Sequence, residues 1–274
     1  MSLGLGIVPW YMIAVAAVCT YFLGNVNPAI LIGRAQGVDI REQGSGNAGT
    51  TNALRSLGKK AGALTFAIDV VKGWAGYFVP MYFFLGVALG NEGIISGMVS
   101  SQSSAADAAL ALWTEASYTP AMLCGLCVVL GHMYPAVFGF RGGKGVATVF
   151  GVLLAASWAY ALILLAVVVV FTAIFRRVSL SVLIAVAVAL ALVFFGYAQA
   201  TDIIYYTGFM RFNAYMPLWI IILLALVVWK HRGNIKRLLT GTEPKLSFGG
   251  GKDKDKGKEE EEEEAKEKDK EGEE

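Results

Sequence analysis

Between two apolar stretches the chain runs VFGFRGGKGVATVFG, from Val137 to Gly151, and its middle, Arg141-Gly142-Gly143-Lys144-Gly145, holds almost no side chain except two cations. Consecutive glycines expose backbone N–H groups as an anion nest, and Lys144 adds a point charge. The helix that begins after Gly145 turns its positive dipole end toward the same place. Such a segment suits a phosphate. An ATP loop is excluded by counting: the pattern G-x-x-x-x-G-K-[ST] would set its first glycine on Phe138, and Gly145 stands where the magnesium-holding hydroxyl belongs. A plain turn between two closely packed helices is the competing reading.

Two further segments carry the same kind of chemistry. Gln43 to Gly73 reads QGSGNAGTTNALRSLGKKAGALTFAIDVVKG, with Gly44, Gly46 and Gly49 freeing the backbone for close approach to a ligand. Thr50, Thr51 or Asn52 can cap a short helix, and Arg55 and Lys59 stand four apart, one face of that helix. Hydroxyls, N–H groups and paired cations describe a phosphate site; a polar connector anchoring anionic lipid headgroups is the alternative. Asp69 and Lys72 follow, three residues apart and entering the next helix, where they either take part in chemistry or neutralise one another. Near the other end, WKHRGNIKRLLTGTEPKL places His231, Asn234 and Arg237 at helical spacing of three, which makes His231 a candidate base or oxyanion donor, or else a side chain snorkelling to the membrane interface. His132, inside an apolar helix end, reads as structural. The Ser179 hydroxyl beside Arg176-Arg177 either completes the cationic rim or caps a helix.

The elements that must position these residues are membrane helices. The chain has 274 residues, 56% of them hydrophobic, in continuous apolar runs rather than alternating ones. About 20 apolar residues cross a hydrocarbon core of roughly 30 Å. The runs predict seven helices, at about 4–24, 62–88, 119–138, 145–157, 158–175, 179–197 and 216–230. The fourth and fifth share one run of about 30 residues, roughly 45 Å as a single helix. Charge decides for two helices with a turn near Ala155–Trp158. With seven crossings, fifteen of the sixteen Lys and Arg outside the acidic tail fall on one side or in adjoining helix ends, and only Arg211 falls opposite. The positive-inside rule then sets the N-terminus outside and the C-terminus in the cytosol. A single helix over 146–175 would scatter the later cations.

The formal charge of +2 conceals two unlike parts. Residues 252–274 hold seven Lys against thirteen Asp and Glu, net −6, which leaves +8 for the rest. We therefore divide the chain into a transmembrane domain, 1–246, and a charged, acidic tail, 247–274, too polar to bury a core and expected to be disordered. No cleavable signal peptide is expected, because the first cation is Arg34. Cys124-Gly-Leu-Cys127 lies in an apolar run without a second Cys/His pair at ligand spacing, so both cysteines read as small buried residues.

Taken together, GSGNAGTTNALRSLGKKAGALTFAIDVVKG, GHMYPAVFGFRGGKGVATVFGVLL and NIKRLLTGTEPKL resemble, in order and spacing, the bacterial membrane family of acyl-phosphate-dependent glycerol-3-phosphate acyltransferases. With GNVNPAILIG and the helix spacing, the resemblance spans about residues 20–245. It implies attack by the 1-hydroxyl of glycerol 3-phosphate on a fatty acyl phosphate, yielding lysophosphatidic acid and phosphate for phospholipid synthesis. By the same resemblance Ser45, Arg55 and Lys59 bind glycerol 3-phosphate, and Gly142, Gly143, Lys144 and Gly145 hold the acyl-phosphate headgroup. His231 and Asn234, with Lys144, are the implied catalytic groups; Ser179 is added to the substrate-binding residues from its place beside Arg176-Arg177 and not from the resemblance. The H-x-x-x-x-D motif of other glycerolipid acyltransferases is absent, since Val137 stands five residues after His132 and Lys236 five after His231. No cofactor, metal or nucleic acid is expected. The partners are the two phosphorylated substrates and the lipid bilayer of a bacterial plasma (inner) membrane, with the site facing the cytosol; no protein partner can be named. A transporter or scramblase of a phosphorylated metabolite or lipid is the alternative, but transporters set their sites near the midplane on broken helices, often in inverted repeats. Here no repeat occurs, the charges gather at one rim, and Asn25-Val26-Asn27-Pro28 is the one obvious break near a span.

Overall fold

The computed structural model describes residues 8–90, 117–198 and 216–246. Every regular element among them is helical: α1 (Trp10–Asn25), α2 (Pro28–Ala35), α3 (Thr50–Ser56), α4 (Lys59–Leu89), α5 (Thr119–Met133), α6 (Val146–Ala156), α7 (Trp158–Phe175), α8 (Val178–Ala198), α9 (Met216–Lys230) and α10 (Arg232–Leu239), with 3-10 turns at Ile40–Glu42 and Ala136–Phe138. Each of the seven apolar segments expected from the sequence overlaps one of α1 and α4 to α9, of which α6, with 11 residues, is shorter than a full span. Trp10–Ala35, Lys59–Leu89, Thr119–Phe138 and Trp158–Phe175 are long and apolar enough to cross a membrane, and α9 with α10 forms a pair bent by 57°. The 247–274 tail and residues 91–116 and 199–215 lie outside the described residues.

Lipid exposure explains the composition of these helices. Val71, Val79, Phe83, Val170, Ile174 and Phe194 are exposed on the outside of the bundle, the place hydrocarbon takes in a membrane protein. Between helices there is consequently little hydrophobic drive, and close packing through small residues takes its place. Gly24 of α1 and Gly131 of α5 meet at backbone distance, as do Gly151 of α6 and Val70 of α4; a Cβ at either pair would strike main-chain atoms. Buried Tyr77, Met122, Val128, Val152, Tyr160 and Leu223 then fill the centre of the bundle.

The run from Val146 to Phe175 is broken at Ser157, whose φ of −156° and ψ of 92° end α6 and start α7. The turn expected near Ala155–Trp158 is there. A second break, at Val26–Asn27, separates α1 from α2: the Asn27 side chain accepts the Ile30 N–H at 3.1 Å, and Pro28 occupies the first helical position.

Candidate active site

The first polar segment is a folded loop, held by its own side chains. Asp39 accepts the Arg41 N–H at 2.9 Å and pairs with its guanidinium at 2.7 Å, which holds the Asp39 carboxyl down at about 2. Arg41 reaches across to donate to the Phe138 carbonyl at 2.9 Å, joining this loop to the glycine-rich one. Asn52 is a staple rather than a cap. It donates to the Ile40 and Gln43 carbonyls at 3.0 and 2.9 Å and accepts the Ser45 N–H at 2.9 Å. Residue 49, a glycine with no capping side chain, opens α3 instead. The expected pairing of Arg55 with Lys59 on one helix does not occur. α3 ends at Ser56, Gly58 turns the chain at φ 95°, and Lys59 begins α4 outside the cavity described below.

The glycine-rich segment also differs in part from expectation. Gly142 and Gly143 are not an open nest: the Gly143 N–H donates to the His132 carbonyl at 3.1 Å, and neither glycine lines the cavity. They are glycines because the loop lies against His132. A Cβ on Gly142 would collide with the His132 carbonyl, and one on Gly143 with the His132 ring and the Ala48 carbonyl. Gly145 has another reason, a left-handed φ of 78° at the start of α6. Through that turn Lys144, Gly145 and the first residues of α6 are presented to the cavity.

The third segment forms where α9 bends into α10. His231 sits at the bend, 3% exposed, with Nδ1 2.8 Å from the Val227 carbonyl. A carbonyl can only accept, so Nδ1 carries the proton and Nε2 is the acceptor of the neutral ring. Asn234, one turn along, accepts from Lys144 Nζ through Oδ1 and donates to Glu243 Oε1 at 2.6 Å. Glu243 also accepts from Ser179 Oγ at 2.5 Å and from Arg237 Nε at 2.8 Å. Burial alone would raise its carboxyl pKa, but the hydrogen bonds from Ser179, Asn234 and Arg237 outweigh it and the net shift is downward. Lys144 moves the other way for a lysine. Burial pushes its ammonium down to about 8, helped by Arg237, Lys230 and Arg55 and opposed by Glu243.

These groups surround one cavity of about 480 Å³. Of the residues expected from the sequence, Ser45, Arg55, Lys144, Gly145, Ser179, His231 and Asn234 line it; Lys59, Gly142 and Gly143 do not. One wall is apolar, built from Phe66 of α4, Val168, Val169 and Ala173 of α7, and Val182 of α8. The Thr50 hydroxyl, also at the cavity, is buried without a hydrogen-bond partner among the described residues. The arrangement therefore joins a cationic, hydrogen-bonding end to a greasy one, fit for an amphiphile with an anionic head.

Sequence reasoning missed two features. Glu243 was passed over in TGTEPKL, yet it ties Ser179 to Asn234 and Arg237. His132 is buried as expected of a structural residue, but it forms a cluster with Asp69 and Lys72: Lys72 Nζ is 2.6 Å from Asp69 Oδ1 and 2.9 Å from His132 Nδ1, which is 3.2 Å from Asp69 Oδ1. Asp69 and His132 both reach the cavity. The spacing of Asp69 and Lys72 was a visible signal for this pair; nothing in the sequence placed His132 against them.

Comparison with known proteins agrees with this architecture. Residues 14–241 match the family model described as glycerol-3-phosphate acyltransferase. The glycerol-3-phosphate acyltransferase of Clostridioides difficile (strain 630) is 37% identical over 233 residues, 85% of this chain and 94% of that protein. That of Geobacillus kaustophilus (strain HTA426) is 33% identical over 240 residues, 87% and 98% of the two chains. Among solved structures, the crystal structure of PlsY (YgiH), an integral membrane glycerol 3-phosphate acyltransferase, is similar in its glycerol 3-phosphate form with a TM-score of 0.65 and 31% identity, covering 86% of this chain and 96% of that one.

Proposed function

We propose, from the premise that this chain belongs to the glycerol-3-phosphate acyltransferase family, that its acyl donor is a fatty acyl phosphate. The observation that carries the proposal is the cavity itself: cations and donors from three separate segments share one end, and an apolar wall occupies the other. Two phosphates and one long hydrocarbon chain are the groups that such a cavity complements. In the reaction the C1 hydroxyl oxygen of glycerol 3-phosphate attacks the acyl carbonyl carbon, the carbonyl-to-phosphate C–O bond breaks, and inorganic phosphate leaves. His231 Nε2 takes the hydroxyl proton, its Nδ1–H being committed to Val227. Lys144, held against Asn234, offsets the charge gathering on the leaving phosphate. Ser45 and Arg55 bind the acceptor's phosphate, while Phe66, Val168, Val169 and Val182 receive the acyl chain. Ser179 contributes indirectly by fixing Glu243, and through it Asn234.

The chain is a multi-pass membrane protein, and we place it with seven crossings, the N-terminus outside and the C-terminus in the cytosol of a bacterial plasma membrane. Cation sorting supports this, since Arg55, Lys144, Arg176, Arg177 and Arg237 all fall on one side in that arrangement. The acyl group arrives already activated, so neither coenzyme A nor a metal enters the scheme. The test is phosphate release by the purified protein from a palmitoyl-phosphate substrate, measured with and without glycerol 3-phosphate. Release that depends on glycerol 3-phosphate and matches lysophosphatidic acid one for one is expected. Acyl transfer from an acyl thioester with none from acyl phosphate would refute the donor assignment.

A further inference from the structure

The break between α1 and α2 has no part in that chemistry, yet hydrogen bonds from its three residues run to both polar loops and to α4 between them in sequence. Asn25 Oδ1 accepts the Val137 N–H at 3.3 Å, in the approach to the glycine-rich segment, while its Nδ2 returns to the Tyr21 carbonyl at 2.7 Å. Val26, next in line, offers its carbonyl to Lys72 Nζ at 2.6 Å. Asn27 donates from Nδ2 to the Ala48 carbonyl at 3.2 Å, in the first loop, while its Oδ1 caps α2. Lys72 carries the connection onward to His132, whose carbonyl holds the Gly143 N–H and whose ring, like the Ala48 carbonyl, lies against Gly143. Asn25, Asn27, Lys72 and His132 are all 3% exposed or less.

A helix broken at this point costs backbone hydrogen bonds that an unbroken span would keep, and in a membrane those must be recovered elsewhere. Here they are recovered by side chains that also fix two loops. We propose that the Asn25-Val26-Asn27 break, with Lys72, is the gauge that sets the separation of the two phosphate-binding loops, and that Asn25 and Asn27 are positioning residues with different clients: Asn27 for the glycerol 3-phosphate loop, Asn25 for the acyl-phosphate loop. This rests on the assignment of one substrate to each loop made above.

The two arms make the test specific. Asn27→Ser keeps a good cap for α2 but is too short to reach Ala48. It is expected to raise KM for glycerol 3-phosphate about tenfold, the loss of one well-made hydrogen bond, with KM for acyl phosphate within about twofold. Asn25→Ala is expected to do the reverse. A merely structural residue would move both KM values together, so equal changes in the two, no change in either, or a change in kcat alone would each overturn the gauge. Should Asn27→Ser fail to fold, Asn27→Thr supplies the same cap and the same missing donor. Calorimetric binding of glycerol 3-phosphate to wild type and to Asn27→Ser separates the readings: binding by wild type without phosphate release refutes the donor assignment, whereas equal affinity of the two proteins refutes the gauge.

Discussion

Raising the pH past about 8 discharges Lys144, and the consequence for substrate capture can be worked out from its surroundings. The ammonium is half-buried and held among Arg237, Lys230 and Arg55, and in the protein without substrate it titrates at about 8 instead of the usual 10.5. A bound phosphate dianion favours the charged form, so the pKa rises on binding and affinity falls as the free protein loses its proton. About nine-tenths of Lys144 is protonated at pH 7 and about one-tenth at pH 9, a fall of roughly tenfold. The loss has a ceiling of similar size, because a neutral amine still donates, and a charge-assisted bond exceeds a neutral one by only about 1–1.5 kcal/mol. A phosphate monoester with its second pKa near 6 is already a dianion throughout this window, so the substrate adds no titration of its own. The assay is kcat/KM from initial rates between pH 6.5 and 9.5, since that ratio reports groups of the free enzyme. Lys144→Arg is the control: its guanidinium stays charged, so its profile should be flat above pH 7 even if its absolute rate is lower. A wild-type profile without a fall near pH 8, or the same fall in Lys144→Arg, would refute the reasoning.

Other perturbations address the remaining groups. His231→Gln retains hydrogen bonding but removes the base, and kcat should drop about 100-fold with KM within about threefold; an unchanged kcat would send the proton to the leaving phosphate instead. Gly143→Ala puts a methyl against His132 and the Ala48 carbonyl, which overpacking makes worth about 1–3 kcal/mol. KM for the phosphate substrates should rise by about tenfold or more, and a wild-type KM would show that the loop can give way. Glu243→Ala strips the acceptor from Ser179, Asn234 and Arg237, and the thermal midpoint of the detergent-solubilised protein should fall by roughly 5–10 °C. Because the folded-state pKa of Glu243 is held below its ordinary 4.5, its contribution is complete above pH 4.5 and fades as pH falls through the folded value. Wild type should therefore lose more stability on acidification below 4.5 than Glu243→Gln, measured by the same thermal scan.

The helices were legible because membrane spans are written in composition. Apolar runs marked α1 and α4 to α9, α6 falling short of a full span, and charge sorting found the break at Ser157, which no residue type announces by itself. Much of the site was legible too, since Arg55, Lys144, His231 and Asn234 are expensive residues to keep beside apolar helices. What remained hidden were contacts between distant positions. Gly142 and Gly143 suggested free N–H groups, whereas they are needed for close approach to His132, and one glycine looks like another until its neighbour is known. Lys59 stood four residues from Arg55, but Gly58 at φ 95° lies between them and parts the two cations. Glu243 follows a turn after α10, so no periodicity linked it to Asn234 nine residues earlier.

The cavity's two unlike ends also govern what happens after the bond is made. On the proposed reaction, one product keeps its hydrocarbon chain beside Phe66, Val168 and Val169 and its phosphate at Arg55, while the other is a small ion at Lys144. Each has its own natural phase. The new lipid partitions sideways into the bilayer and the phosphate dissolves into water, so the two fragments that would have to recombine for reversal are diluted into different solvents. The same asymmetry that admits the donor thus works as a one-way valve, without any moving part.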